Sequence, residues 1–288
     1  MIDQSKIDVF PSQHDGYPAD LAVLDTPGAM REAFADAARD FPDSLWVEPS
    51  RWAEVAAEND RLGLWPENYR ARRTNQNPTH ECTCHALVQC MEIAWNRQQR
   101  MKLSGGEDFR TVAGIGTPVY FSVLSIYAEA NPRIRGGANL QTVIGIAIRR
   151  GFLPDKIQPQ SDYRFAHTLT GTNGRGNAHQ SAGAWVPVRD FPSGWEQTAR
   201  HFRPIEVINP ESYEQMISLV LNGICVVVGR SGHSIPYVRW HADEKVMEYS
   251  DSYDVARYDS LATVKRAVGG AYAIVSTTVP NDWRRPAG

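Results

Sequence analysis

The sequence predicts an α+β protein with two lobes, in which a mostly helical half precedes a mostly antiparallel β half. The long segment that follows Cys82 is apolar over broad faces, which is typical of a buried helix. After His201 the pattern changes to short runs rich in valine and isoleucine, such as residues 224–228, and these favour strands. A cleft between two such halves is the expected place for a functional site.

Residues 1–63 are predicted to form a helical N-terminal extension. Thr26 precedes Pro27, and a capping residue before a proline at the first helical position favours a helix start. A second helix is predicted from near Ser50 to Gly63, because glycine commonly follows the last helical residue. The two-lobed domain is then predicted to occupy residues 64–288.

The helical lobe is predicted over about residues 64–190. Its central helix runs over residues 82–100, where Ala86, Val88 and Ile93 supply apolar coverage on several sides. Residues 120–127 and 140–150 are also predicted to be helical, and they would complete the lobe around the central helix.

The β lobe is predicted over about residues 191–288. It begins with a strand at residues 202–208, followed by a helix capped by Asn209, with Pro210 at its start and Gly223 past its end. The strands after this helix carry His233 and Asp251.

Cys82 is the candidate nucleophile. It lies at the predicted start of the central helix, where unpaired backbone N–H groups and the helix dipole favour a thiolate over a thiol. Gln76 lies six residues earlier in the sequence, and its side-chain amide could donate to the oxyanion that forms when the sulfur attacks a carbonyl.

His233 is the candidate general base, because a nucleophile and its base are neighbours in space rather than in sequence. Asp251 follows on the next predicted strand, eighteen residues later, where it could fix the imidazole tautomer. The order along the chain is therefore glutamine, cysteine, histidine, aspartate.

This order resembles that of the papain-like cysteine peptidases, in which an oxyanion glutamine, a helix-borne cysteine, a histidine on a strand and an Asn-Ser-Trp segment follow one another. The interval from Gln76 to Cys82 matches that pattern, and residues 251–253, Asp-Ser-Tyr, are similar to Asn-Ser-Trp. The form Cys-x-x-His-Ala at residues 82–86 resembles divergent bacterial and phage branches.

Two further segments carry the resemblance, which covers roughly residues 66–278. Residues 66–70 resemble the start of the mature family domain, and Gly136 and Gly137 resemble the glycine strip that lies alongside a bound peptide. The resemblance implies a papain-like two-lobed fold and a cysteine peptidase-like hydrolase that cleaves a peptide or isopeptide amide. It implies a catalytic triad of Cys82, His233 and Asp251, with Gln76 as the oxyanion donor.

Departures from the family pattern leave two other functions open. Glu81 directly precedes the thiol, where a carboxylate opposes the thiolate, and Asp251 replaces the usual asparagine. A catalytically altered papain-like structural or assembly protein, such as a component of a phage particle, is one alternative. A cell-wall amidase with related cysteine–histidine chemistry is the other.

The resemblance also gives two interpretations of residues 1–63. Zymogens of the family carry an inhibitory propeptide in this position, so the extension could be propeptide-like. It could instead pack on the domain or mediate a homo-oligomer or larger assembly. The sequence favours packing, because nothing in it marks a processing site.

Composition narrows the classes of partner and location. The net charge is −3 and the basic and acidic residues are interspersed, so the sequence shows no cluster of basic residues of the kind that binds nucleic acid. No segment approaches the ~20 apolar residues that span a bilayer, and the first residues lack a signal-peptide pattern. We therefore expect a peptide or protein substrate, no nucleic-acid or membrane partner, no cofactor, and a cytoplasmic location or incorporation in a virion.

The four cysteines are predicted to be reduced, because three of them fall in one helical segment where close spacing prevents comfortable bridging. A zinc site at His80, Cys82, Cys84 and His85 is an alternative. No second ligand pair with zinc-type spacing follows, and Cys82 and Cys84 would diverge on one helix. We therefore expect no metal.

Overall fold

The computed structural model describes residues 7–8, 34–70, 82–104, 121–123, 126, 139–153, 199–230, 232–251 and 255–278. Its described strands form one eight-stranded sheet in the order β1-β7-β6-β5-β4-β8-β3-β2. The inner pairs are antiparallel, and the two outermost strands join their neighbours in parallel. The strands are β1 (Ile7–Asp8), β2 (Ala38–Arg39), β3 (Pro204–Ile208), β4 (Val226–Arg230), β5 (His233–His241), β6 (Val246–Asp251), β7 (Val255–Ser260) and β8 (Ala271–Thr277).

One long helix packs against the middle of the sheet. The described α-helices are α1 (Trp52–Leu62), α2 (Pro66–Tyr69), α3 (Cys82–Ser104), α4 (Leu140–Arg150), α5 (Tyr213–Leu221) and α6 (Leu261–Ala267). Helix α3 contacts β4, β5 and β8, and its residues 82–96 are all buried. A helix that is buried on every side is central to a core, as the sequence predicts.

Two apolar clusters lie in contact with the sheet. The first surrounds α3 and includes an aromatic group in which the Phe121 ring centroid lies 5.3 Å from that of Phe202 and 5.6 Å from that of Phe152. The second includes residues of α5, α6 and strands β4 to β6, among them Tyr237 and Tyr249. Burial of this apolar surface is the main force that holds the helices to the sheet.

Residues 38–63 pack against β3, α5 and β5. Strand β2 pairs with β3, and the Asn59 side chain donates to the Leu221 carbonyl oxygen at the end of α5 over 2.7 Å. The Trp52 and Trp240 rings meet edge to face at 5.7 Å. The predicted domain boundaries, and the role of residues 1–63, stay predictions.

Most of the predicted elements that fall on described residues are present. The helix predicted at residues 140–150 is α4, and the Asn139 side chain caps it by accepting from the Thr142 N–H over 3.2 Å. The helix predicted near Ser50 is α1, and Gly63 follows it with φ 62°. The helix predicted near Thr26, by contrast, falls outside the described residues.

One local prediction is wrong and another is wrong in part. Helix α5 is capped by Ser212 and not by Asn209, because the Ser212 hydroxyl accepts from the Gln215 N–H while the Gln215 side chain accepts from the Glu211 N–H. In the helix predicted over residues 120–127, Ile126 is helical, whereas Phe121 and Ser122 are not. The backbone of these two residues bonds elsewhere. Their backbone N–H groups bond instead to the Glu92 carboxylate and to the Leu153 carbonyl oxygen.

All four cysteines are free thiols. The sulfurs of Cys90 on α3 and Cys225 before β4 lie 2.8 Å apart inside the core, and burial raises the pKa of the Cys90 thiol well above its usual value. None of the described helices combines the length and apolar character needed to cross a bilayer.

Candidate active site

The structure places Cys82 at the first position of α3, where the sequence predicts it. Its N-terminal position places the sulfur near the first N–H groups of the helix and at the positive end of the helix dipole. Cys84, two residues later, has no exposed surface and packs in the first apolar cluster. The two thiols therefore lie in different environments, and Cys82 occupies the one that favours a thiolate.

His233 and Asp251 lie on adjacent antiparallel strands. His233 is the first residue of β5 and Asp251 is the last residue of β6, so the two residues meet at the same end of the pair. The His233 Nε2 atom lies 3.2 Å from Asp251 Oδ1. Cys82, His233 and Asp251 are 7, 5 and 2% exposed, which limits the water that competes for their hydrogen bonds.

The Cys82 thiol also interacts with the His233 ring, and this interaction lowers the pKa of the thiol and raises that of the ring. Because Nε2 faces Asp251, the other ring nitrogen, Nδ1, is the one available to the sulfur. The structure therefore brings three of the four predicted site residues into one line, from the sulfur through the imidazole to the carboxylate.

The pKa values of the two reacting groups move in opposite directions. Burial lowers the pKa of His233, but the hydrogen bonds to Asp251 and Cys82 outweigh it and raise the pKa to about 9. Burial raises the pKa of the Cys82 thiol, but bonds from His233, the Ser234 backbone and the Thr83 hydroxyl bring it below its usual value. These shifts favour the thiolate–imidazolium form of the pair over the neutral form.

Two hydroxyl residues adjacent to this pair were missed by the sequence reasoning. Thr83 follows the cysteine and Ser234 follows the histidine, and their hydroxyl oxygens lie 3.0 Å apart. The Thr83 hydroxyl also lies 3.9 Å from the Cys82 sulfur. Adjacency in sequence to Cys82 and His233 was the available signal.

A third missed residue, Arg257, contacts the far side of Asp251. Its Nε atom lies 3.4 Å from Asp251 Oδ2, while Oδ1 faces His233. The carboxylate therefore has a cation on one oxygen and the imidazole on the other. The guanidinium restricts the rotation of the carboxylate and partly balances its charge.

A buried ion pair supports the strand ends behind the site. Arg230 forms a cross-strand pair with His233, and its guanidinium contacts Asp259 and lies 4.9 Å above the Tyr249 ring. The Tyr237 hydroxyl donates to the same Asp259 carboxylate. These contacts join β4, β5, β6 and β7 near the start of β5, where His233 lies.

The remaining predicted site residues fall outside the described part of the chain. These are Gln76, Gly136, Gly137 and the pair that precedes the cysteine, His80 and Glu81. Among the residues that the structure does describe, no group of three metal-ligating side chains is arranged to hold an ion.

Comparison with known proteins gives a fold match at low identity. No family model and no curated protein matches the chain. Among solved structures, xylellain, a cysteine protease from Xylella fastidiosa, is similar with a TM-score of 0.52 and 12% identity, over 71% of this chain and 82% of that one. The chain therefore has the α+β fold of the papain-like cysteine proteases.

Proposed function

We propose that this chain is a papain-like cysteine peptidase that cleaves a peptide or isopeptide amide. The observation that carries the proposal is the continuous contact from the Cys82 sulfur through the His233 ring to the Asp251 carboxylate. The fold and the opposite pKa shifts of the cysteine and histidine support it. The same arrangement is what acyl transfer by a thiol requires.

The reaction begins when the Cys82 thiolate attacks the amide carbonyl carbon and forms a carbon–sulfur bond. The developing oxyanion accepts hydrogen bonds from the Cys82 backbone N–H and, in this proposal, from the Gln76 amide. The His233 imidazolium then gives its Nδ1 proton to the leaving amine as the carbon–nitrogen bond breaks. The product is a thioester on Cys82 and a free amine.

Hydrolysis of the thioester reverses the proton transfers. Neutral His233 takes a proton from water, the hydroxide oxygen bonds to the acyl carbon, and the carbon–sulfur bond breaks. The acid product leaves and the thiolate is restored beside the imidazolium. Asp251 keeps the ring oriented throughout, and Gly136 with Gly137 would align an extended peptide by main-chain hydrogen bonds.

Covalent labelling with a peptide chloromethyl ketone, followed by mass-spectrometric mapping, tests the nucleophile. We expect one label on Cys82 in the wild type and in Cys84→Ala, and no label in Cys82→Ala. The Cys84 variant is the matched control, because it removes a neighbouring thiol that is buried in the core. Labelling that survives Cys82→Ala but disappears in Cys84→Ala would mean that the nucleophile is the other sulfur.

Two substrates, unfolded proteins and purified peptidoglycan, distinguish the possible substrate classes. A peptidase generates new N-termini in a pool of unfolded proteins and leaves purified peptidoglycan intact. A cell-wall amidase releases soluble fragments from peptidoglycan instead. A catalytically altered assembly protein turns over neither substrate, and Cys82→Ala then leaves its assembly unchanged.

A further inference from the structure

The hydroxyl pair of Thr83 and Ser234 joins the helix to the sheet at the reacting atoms. Thr83 is the second residue of α3 and Ser234 is the second residue of β5. Their oxygens lie 3.0 Å apart although the residues are 151 positions apart in the chain. Both are buried, at 3 and 4% exposed, so water competes little for this bond.

Both residues also contact the nucleophile. The Thr83 hydroxyl lies within 3.9 Å of the Cys82 sulfur, which is in the range of a weak hydrogen bond to sulfur. The Ser234 backbone also helps to lower the pKa of the same thiol. The thiolate therefore faces donors from its own helix and from the strand that carries the base.

The positions of the two hydroxyl protons decide which group donates and which accepts in the chain from Ser234 through Thr83 to the sulfur. A hydroxyl donates one hydrogen and accepts through its lone pairs. When the Ser234 hydroxyl donates to Thr83, the Thr83 proton is directed to the sulfur, and the two bonds polarise each other in the same sense. A negative charge on sulfur favours this direction over the reverse.

We infer that Thr83 and Ser234 are positioning residues that hold the Cys82 thiolate against the His233 ring, through a hydrogen-bonded relay from the Ser234 hydroxyl to the Thr83 hydroxyl to the sulfur. The inference rests on the proposed function, because it assigns these residues to the same thiolate. The pair fixes the separation of α3 from β5 where the reacting atoms meet, and small misplacements of reacting groups are costly.

The test is a double-mutant cycle of Thr83→Val and Ser234→Ala. Valine keeps the shape of threonine and removes only the hydroxyl, and Ser234→Ala leaves the backbone N–H in place. We measure kcat and KM on a peptide amide and the rate at which iodoacetamide alkylates Cys82, each against pH. Thr263→Val is the matched control, because it removes a buried threonine hydroxyl 3.2 Å from the Ser260 hydroxyl at the start of α6.

We expect Thr83→Val to lower kcat about tenfold with KM nearly unchanged. The acidic limb of the alkylation profile should move up by roughly one pH unit, because the thiolate loses a donor. The double variant should be little worse than Thr83→Val alone, since both changes break one relay. Thr83→Ser should restore activity, and Thr263→Val should leave both profiles unchanged.

The inference is overturned if the two changes are additive, or if the alkylation profile of Thr83→Val superimposes on that of the wild type. If Thr83→Val does not fold, the alkylation profiles of the single variants Ser234→Ala and Thr83→Ser are compared instead. The relay then predicts the pH shift in Ser234→Ala and no shift in Thr83→Ser. Alkylation requires no turnover, so it separates two failures. A wild-type Cys82 that alkylates like an ordinary thiol would defeat the proposed function, whereas a low-pKa thiol that Thr83→Val leaves unchanged would defeat only the relay.

Discussion

Cys82→Ala is expected to lower kcat/KM for a peptide amide by on the order of 10⁴-fold or more, because in the proposed mechanism it removes the atom that bonds to the acyl group. The fold should persist, since the change deletes one small side chain at the start of α3. Initial rates on a fluorogenic peptide, with the far-UV circular dichroism of the same sample, measure both effects.

Cys84→Ala is again the matched control for this experiment. It deletes a buried thiol from the core and should change stability more than it changes kcat/KM. Retention of more than a few per cent of wild-type activity by Cys82→Ala, measured in a sample free of contaminating peptidase, would rule out this sulfur as the nucleophile.

Asp251→Asn is expected to move the alkaline limb of activity to lower pH. In the wild type this limb should lie near pH 9, because His233 must be protonated and its pKa is raised to about 9. The amide of asparagine can still accept from the ring, but it carries no charge to stabilise the imidazolium. The limb should therefore shift towards 6.5, the ordinary value for histidine.

The profile of kcat/KM against pH measures this shift, and Asp251→Ala gives the matched comparison. Asparagine keeps a hydrogen-bond acceptor, so Asp251→Asn should retain a larger share of the wild-type kcat, at its new optimum pH, than Asp251→Ala does. Alanine loses both orientation and charge, and we expect a loss of up to about 10⁴-fold. An alkaline limb that stays near 9 in Asp251→Asn would show that another group sets it.

The same raised pKa links the stability of the fold to pH. His233 binds its proton more tightly in the folded chain than in the unfolded one, so its contribution is complete below pH 6.5 and is lost as the pH rises through about 9. The lowered pKa of Cys82 acts in the opposite sense, and its contribution is lost as the pH falls through the folded value. The ion pair therefore stabilises the fold most at pH values between the folded-state pKa of Cys82 and that of His233.

Residue types and their order predicted which residues lie together at the candidate site. A thiol needs a helix N-terminus or a cation to become nucleophilic, and a base needs an orienting group. The structure brings Cys82, His233 and Asp251 together, and their catalytic roles stay predictions. The central helix was predicted because its apolar residues cover all its sides. It nevertheless ends at Ser104, four residues beyond the predicted Arg100.

Contacts that depend on strand register could not be predicted in this way. Arg257 reaches Asp251 because β6 and β7 pair with Tyr249 opposite Arg257 and Asp251 opposite Val255. Thr83 meets Ser234 only when α3 lies across the start of β5. The cap of α5 was predicted wrongly for a related reason. Asn209 and Ser212 are both good capping residues, and only the paired hydrogen bonds of Gln215 with Ser212 and Glu211 distinguish them.

The central claim is that the His233 ring holds the Cys82 sulfur as a thiolate, and the rate of Cys82 alkylation by iodoacetamide against pH tests it most directly. In the wild type the rate should reach its plateau at a lower pH than the rate of an ordinary thiol does, because the pKa of Cys82 lies below its usual value. In His233→Ala the plateau should move to higher pH, because burial raises the pKa of the thiol and the largest opposing interaction is lost. Identical profiles for the two proteins would contradict the claim.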